Sequence, residues 1–382
     1  MAPQTIRQIL TRDFILGCFA QFSFIFVWHI LIPTLPIYLS RLGSGETEIG
    51  VLIGSIGVSS LVLRPFVGRA LLRIPEKGFM IAGALLFAIT SIAYLFALPF
   101  WPFLMVRVLQ GVGLAFFQTA SFTWIANRTL ECHRGQSFGY FYLSQTLSLS
   151  LAPAFGMFLI RHFGFDLLFL VCAGESVLCL CITSQLEKRG VVQSEDSSGE
   201  DSFFLNRRAL PPSIMSFFYY FGWGALGAFF PLYAIDHGVA NPGLFFTAMA
   251  LMLILGRAFG GKILDLYSRE RMILYTFILC GSSMILLAFS KNLPMFILVG
   301  VIWGVGAAFL NPTVMAYTLD RSGSARGSAM GTYTALSDLG ASLGPVIMGI
   351  IIPWTSYPIM FLCIALIGAI NLVYFYFFVR KG

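Results

Sequence analysis

Gly111-Val112-Gly113-Leu114-Ala115-Phe116 recurs as Gly304-Val305-Gly306-Ala307-Ala308-Phe309, an offset of 193 residues. The match extends outward. At the same offset Arg64, Phe66 and Gly68 fall on Arg257, Phe259 and Gly261, and Arg128 falls on Arg321. After a one-residue slip, Arg134-Gly135, Gly139, Leu147, Ser150-Leu151 and Pro153 meet Arg326-Gly327, Gly331, Leu339, Ser342-Leu343 and Pro345. Matches that keep their order and almost keep their offset read as an internal duplication of the chain.

The duplicated material is apolar. Of 382 residues, 58% are hydrophobic and 11% charged, whereas a soluble domain carries about 25% charged residues. This composition excludes a soluble enzyme. A membrane helix needs about 20 apolar residues, and runs bounded by charge, Gly and Pro predict twelve of them: 13–39, 47–72, 77–98, 100–127, 135–161, 164–186, 209–236, 241–265, 269–290, 293–320, 326–353 and 356–379. The expected fold is an all-α membrane protein of twelve transmembrane helices in two pseudo-symmetric six-helix bundles, residues 1–186 and 209–382. The segment between them, 187–208, centres on Glu195-Asp196-Ser197-Ser198-Gly199-Glu200-Asp201, which cannot bury apolar area and reads as a cytoplasmic linker.

With both termini on one side, that side holds 18 Lys and Arg, and the other holds three: Arg41, Arg161 and Lys291. The positive-inside rule then places both termini in the cytoplasm of a cell whose inner membrane the chain spans. The formal charge of +7 is explained by this orientation. Because the basic residues sit singly or in pairs between apolar runs, no nucleic-acid partner is expected. The partners expected are the lipid bilayer and a small-molecule substrate, and the chain is expected to act as a monomer.

The seven cysteines are odd in number, all but Cys132 lie in apolar stretches, and the four histidines are scattered. They read as packing residues, not as a metal or disulfide framework. No Walker-type phosphate loop is present, so no cofactor is assigned, and a proton gradient is the expected energy source.

Several segments resemble the major facilitator superfamily. The family's loop pattern G-x-x-x-D-R-x-G-R-R is similar to Gly261-Lys262-Ile263-Leu264-Asp265-Leu266-Tyr267-Ser268-Arg269-Glu270-Arg271. In the first half the equivalent Gly68-Arg69-Ala70-Leu71-Leu72-Arg73 has Leu72 where the Asp belongs. Arg107-Val108-Leu109-Gln110-Gly111-Val112-Gly113-Leu114-Ala115 resembles the R-x-x-Q-G-x-G-x-A pattern of proton-coupled members. The exporter pattern G-x-x-x-G-P-x-x-G is loose in Ser148, Ala152, Pro153 and Gly156, and closer in Gly340, Gly344, Pro345 and Gly349. With Arg64-Pro65-Phe66-Val67-Gly68, the likeness is to the drug and metabolite efflux branch. It implies a proton antiporter and a role for Arg107 in coupling.

The residues carry their own logic. Asp265 near a helix end, with Arg257, Gly261 and Arg269, suits a conformational latch that pairs a carboxylate with Arg and with helix N-terminal amides. Arg64, Gly68 and Arg73 would form a weaker counterpart lacking the acid. Arg107 lies about 10 Å inside its span, where a guanidinium costs roughly 2.5–3.5 kcal/mol. It therefore reads either as a group facing a wet cavity or partner, or as one that snorkels to the surface. His29, Glu175 and Asp338 are the other ionisable groups in mid-span, each a proton-coupling candidate. Against these stand a neutral His29 bonding between helices, a protonated structural Glu175 and an Arg-paired Asp338. Pro153, Gly156, Gly340, Gly344 and Pro345 read as a helix-packing hinge. Gln21, Gln110, Gln118, Gln145, Tyr219, Tyr220, Trp223, Trp303 and Asn311 are the polar or aromatic candidates for lining a substrate cavity.

The expected function is a proton-coupled exporter of a small amphipathic organic solute working by alternating access. Importers of a metabolite or siderophore-like ligand, and a non-transporting receptor or membrane enzyme, are the alternatives. Against an enzyme, no catalytic cluster gathers at a membrane face.

Overall fold

A computed structural model describes residues 11–97, 100–129, 134–187, 207–259, 268–321 and 326–380. Twelve long helices run through them: α1 (Arg12–Arg41), α2 (Glu46–Ala70), α3 (Glu76–Ala93), α4 (Trp101–Arg128), α5 (Arg134–His162), α6 (Phe165–Ser184), α7 (Leu210–Asp236), α8 (Gly243–Phe259), α9 (Arg269–Phe289), α10 (Leu293–Arg321), α11 (Arg326–Ile351) and α12 (Tyr357–Tyr374). Ten are long and apolar enough to cross a membrane, with α8 an eleventh, shorter one. α7 is long enough, at 27 residues, but its apolar run is diluted by Pro, Gly, Ser and Tyr. No strand occurs among the described residues, as hydrocarbon demands of a spanning chain, because only a helix satisfies its own backbone. Most of the linker, 188–206, lies outside the described residues, as do Cys132, Gly261 and Asp265.

The chain divides into two compact units, Met1–Leu31 with Val58–Gly199, and Ile32–Gly57 with Glu200–Gly382. It leaves the first unit inside α1, just ahead of Pro33, and returns inside α2 after Gly57.

In the first unit Phe24 of α1 packs between Phe87 of α3 and Phe117 of α4, at ring separations of 4.2 and 3.9 Å. Gly113 of α4 meets α3, where an added Cβ would stand 3.1 Å from the Gly83 carbonyl. The ends of the helices are tied by charge: Lys77 Nζ donates to the carbonyls of Ser184 and Leu186, both at 2.6 Å, where the carbonyls ending α6 have no helical partner. Arg128 donates to the Glu187 carbonyl at 2.6 Å and lies 4.6 Å over the Trp124 ring.

The second unit repeats this plan. Gly306 of α10 meets α9, its added Cβ 2.6 Å from Cys280 Sγ, and Arg321 lies 4.6 Å over the Tyr317 ring. Gly113/Gly306, Trp124/Tyr317 and Arg128/Arg321 are equivalent under the 193-residue offset. The duplication therefore conserves geometry as well as letters.

A backbone-to-backbone helix approach in this unit joins α7 to α11. A Cβ on Gly340 would strike the carbonyl of Phe217, one on Gly344 that of Phe221, and one on Gly224 that of Ala341. On another side of α11 the start of α2 lies equally close, with Gly50 against the Pro345 carbonyl and Gly54 against that of Ser342. Thr47 donates to the Gly349 carbonyl at 2.9 Å. Gly281 contrasts with these, since its Cβ would meet nothing within 4 Å. Gly344→Val should therefore lower stability by about 3 kcal/mol or more through overpacking against backbone, while Gly281→Ala stays within about 0.5 kcal/mol. Thermal unfolding in detergent, followed by tryptophan fluorescence, checks both.

Candidate transport site

Among the described residues of the first unit Arg107 is the most buried charge, 2% exposed. Phe100, just before α4, has a φ of 64°, the only positive value of a non-glycine residue among those described. Tyr94, just past the α3 C-terminus, lies against the first turns of α4. The Tyr94 hydroxyl donates to Gln110 Oε1 at 2.5 Å, and Arg107 Nη1 donates to the same oxygen at 2.8 Å and approaches the Tyr94 oxygen at 3.4 Å. Tyr94 and Gln110 are both fully buried. Phe103 and Phe169 flank the Tyr94 ring at 4.9 and 5.3 Å. Arg107 thus turns inward to polar side chains instead of snorkelling to the surface. Gln110 Nε2 is left buried without a hydrogen-bond partner.

Of the two candidates at similar depth, neither touches Arg107 directly. His29 Nδ1 pairs with Ser148 Oγ of α5 at 2.9 Å, and Glu175 of α6 hydrogen-bonds Ser23 of α1. Glu175 Oε2 is buried without a hydrogen bond. A second polar knot ties α1 to α4: Gln21 Nε2 donates to Gln118 Oε1 at 3.2 Å, and Ser121 donates to Gln21 Oε1 at 3.1 Å. Gln145 is half-buried on α5.

In the second unit Tyr219 of α7 stacks on Trp303 of α10, 5.6 Å apart at 15°, and Trp223 meets Phe246 edge-on at 6.2 Å. Tyr220 and Asn311 are half-buried. Asp338 is half-buried on α11; its carbonyl accepts from Ser342 at 2.7 Å. One residue before it, Ser337 shares a 2.5 Å hydrogen bond with Ser216 of α7.

Of the latch residues, Arg269 forms an ion pair with Asp320 of α10. Arg257 belongs to α8, while Gly261 and Asp265 lie outside the described residues. Arg64 is half-buried on α2, and Arg73 is exposed, as is Leu72 beside it. Among the hinge residues, Pro153, Gly156, Gly340, Gly344 and Pro345 are all buried.

Tyr94, Ser148, Ser23 and Ser121 had not been singled out as partners, although each contacts a residue that had. Hydroxyl residues in an apolar helix usually bond their own backbone, so one letter does not announce a cross-helix partner.

Removing the acceptor beside a buried cation costs about 1.5–3 kcal/mol. Gln110→Leu should destabilise the protein by that much, and Arg107→Met on the Gln110→Leu background should recover most of the loss. A double-mutant cycle of melting temperatures in detergent measures the coupling; additive effects would exclude the pair as drawn.

Comparison with known proteins agrees with this architecture. The family model described as Major Facilitator Superfamily matches residues 17–210 and 212–382. Among curated relatives, the staphylopine export protein of Staphylococcus aureus is 25% identical over 87% of this chain and 87% of its own length. Multidrug resistance protein 2 of Bacillus subtilis is 24% identical, covering 90% of each. The quinolone resistance protein NorA of Staphylococcus aureus is 22% identical, covering 84% of each. Among solved structures, nucleoside transporter NupG superposes with a TM-score of 0.79 at 16% identity, covering 96% of this chain and 98% of that one.

Proposed function

The chain belongs to the major facilitator superfamily, and from that premise we propose that this transporter, a non-enzymatic multi-pass membrane protein, is proton-coupled and exports a small amphipathic organic solute. The observation that carries the reading is the guanidinium of Arg107, held 2% exposed in a membrane helix by Gln110 and Tyr94. A charge kept at that depth against an insertion cost of roughly 2.5–3.5 kcal/mol is expected to serve transport. Export is supported by the relatives, whose names speak of staphylopine export and of drug and quinolone resistance.

In this reading His29, Glu175 and Asp338 are the groups that take and release protons, with Arg107 setting the local field. Gln21, Gln110, Gln118, Gln145, Tyr219, Tyr220, Trp223, Trp303 and Asn311 supply the lining. A lining of aromatic rings and neutral polar groups suits an amphipathic solute better than a bare ion. Alternating access between the two six-helix halves would be gated by the Arg269–Asp320 pair and its Asp265 loop. Both termini face the cytoplasm of a cell whose inner membrane holds the protein, and no cofactor takes part.

The test is flux in proteoliposomes. Each pH unit imposed corresponds to 1.36 kcal/mol per proton exchanged, enough for about tenfold accumulation of solute. Arg107→Gln and Asp338→Asn should lose gradient-driven uptake while retaining counterflow. Uptake indifferent to the gradient would overturn proton coupling, and pH dependence unchanged in both variants would remove those residues from the mechanism.

A further inference from the structure

On α5 the two hydroxyl side chains that precede Ser148, those of Ser144 and Thr146, donate to carbonyls of their own helix, Phe141 at 2.6 Å and Tyr142 at 3.0 Å. Such back-bonding is the ordinary habit of Ser and Thr in an apolar helix. Ser148 departs from it. Its side chain is fully buried, and its Oγ lies 2.9 Å from Nδ1 of His29 on α1.

The same two positions form a helix seam in the second repeat. α1 aligns with α7 at an offset of 195 residues, where Trp28, Pro36, Tyr38 and Gly43 fall on Trp223, Pro231, Tyr233 and Gly238. Gly43 and Gly238 also share a positive φ, 88° and 75°. His29 then corresponds to Gly224, and Ser148 of α5 corresponds to Gly340 of α11. Both glycines are bare because backbone lies against them, that of Ala341 against Gly224 and that of Phe217 against Gly340. In the first repeat the side chains at these two places meet each other instead. Either one alone would present a polar group to an apolar helix, so the pair acts as one unit.

A hydroxyl suits an imidazole that changes charge. Toward the neutral ring it donates to a bare Nδ1, which leaves the ring hydrogen on Nε2; once Nδ1 has taken a proton, the same oxygen turns and accepts from Nδ1–H. The bond survives with its direction reversed. A carbonyl serves only a ring with hydrogen on Nδ1, and an N–H only a ring without it. Hydrogen bonds to an ionised group are about twice as strong as neutral ones, so the contact favours the charged ring.

The other titratable groups on helices packed against α1 are engaged elsewhere. Arg107 of α4 binds Gln110 and Tyr94. Glu175 of α6 bonds Ser23, about 9 Å along α1 from His29. Cys179 of α6 donates to the Ala20 carbonyl, and Tyr140 of α5 packs on Phe14, about four turns from His29.

We propose that Ser148 is the positioning residue for proton exchange at His29: its hydroxyl keeps the ring at the α1–α5 contact in both charge states and makes Nδ1 the atom that takes the proton. Uptake from water forms one N–H bond at Nδ1, and release to water breaks it. The proposal rests on the proton-coupled reading and names the device that would hold one of its carriers.

The test titrates the full chain in lipid nanodiscs with nitrogen-15 histidine, followed by NMR, the His29 signals being assigned by their loss in His29→Gln. The neutral ring should carry its hydrogen on Nε2 alone. Ser148→Ala should lower the titration midpoint of His29 by about one pH unit and let both neutral tautomers appear. Ser148→Thr, which keeps the hydroxyl, should restore the midpoint and the single tautomer. Ser148→Gly, the residue of the second repeat, should behave as the Ala variant does and stands in for it if that variant does not fold. In proteoliposomes the pH midpoint of gradient-driven uptake should move with the NMR midpoint, and Ser148→Ala should add nothing on a His29→Gln background. An unchanged midpoint in Ser148→Ala, hydrogen on Nδ1 of the neutral ring, or failure of Ser148→Thr to restore the midpoint would overturn the proposal. Uptake by the native chain that ignores the gradient, with the NMR shifts intact, would overturn the proton-coupled reading and leave the His29–Ser148 contact standing.

Discussion

The contact of Gly340 and Gly344 with the carbonyls of Phe217 and Phe221 embodies the constraint on which the molecule depends. In lipid, one apolar helix gains nothing by exchanging hydrocarbon for another helix, so the hydrophobic effect that holds soluble cores together is absent between helices. What remains is close van der Waals approach, and approach is limited by the side chain that stands between two backbones. Removing it brings α7 and α11 into backbone contact. The same device operates at Gly83 and Gly113, at Gly50, and at Gly306. Dispersion is about 0.1–0.2 kcal/mol per atom pair, so the seam works by number and is lost wherever one Cβ intervenes.

Much of this was legible in the sequence, because hydrocarbon allows few solutions. Long apolar runs bounded by charge gave helices close to the observed ones, since a chain in the bilayer must close its hydrogen bonds locally. The edges were least legible where apolar length outran the helix: the run 77–98 was expected to be one span, whereas α3 ends at Ala93. The compact grouping of Ile32–Gly57 with the residues from Glu200 onward had no sequence signal either. Those 26 residues belong to the first repeat by descent, and only three-dimensional contacts such as Gly50 on Pro345 reveal their neighbours.

The candidate site was half legible. Each mid-span charge announced itself by its cost, but not its partner. Tyr94 is 13 residues from Arg107 across a turn, and Ser148 is 119 residues from His29. Partners so far apart are specified by packing of whole helices, which no local pattern encodes.

The two repeats part company where their roles diverge. Packing positions agree: Gly113 with Gly306, and the ring-and-arginine pairs Trp124–Arg128 and Tyr317–Arg321. Chemistry positions do not. Arg107 corresponds to Gly300, whose Cβ would press on the Phe245 carbonyl at 2.8 Å, so the second repeat has no room for a guanidinium there. Gln110 corresponds to Trp303, which stacks on Tyr219 of α7 where Gln110 binds Arg107 and Tyr94. Ser148 stands where the second repeat has Gly340. In α11 that position must be bare, because the α7 backbone lies against it; in α5 the hydroxyl meets His29 at 2.9 Å. The departure from the glycine pattern at Ser148 is therefore an exchange of one helix contact for another. A backbone seam is replaced by a hydrogen bond to a titratable ring, giving the first repeat a polar link between α1 and α5 where the second holds α7 and α11 together by close packing.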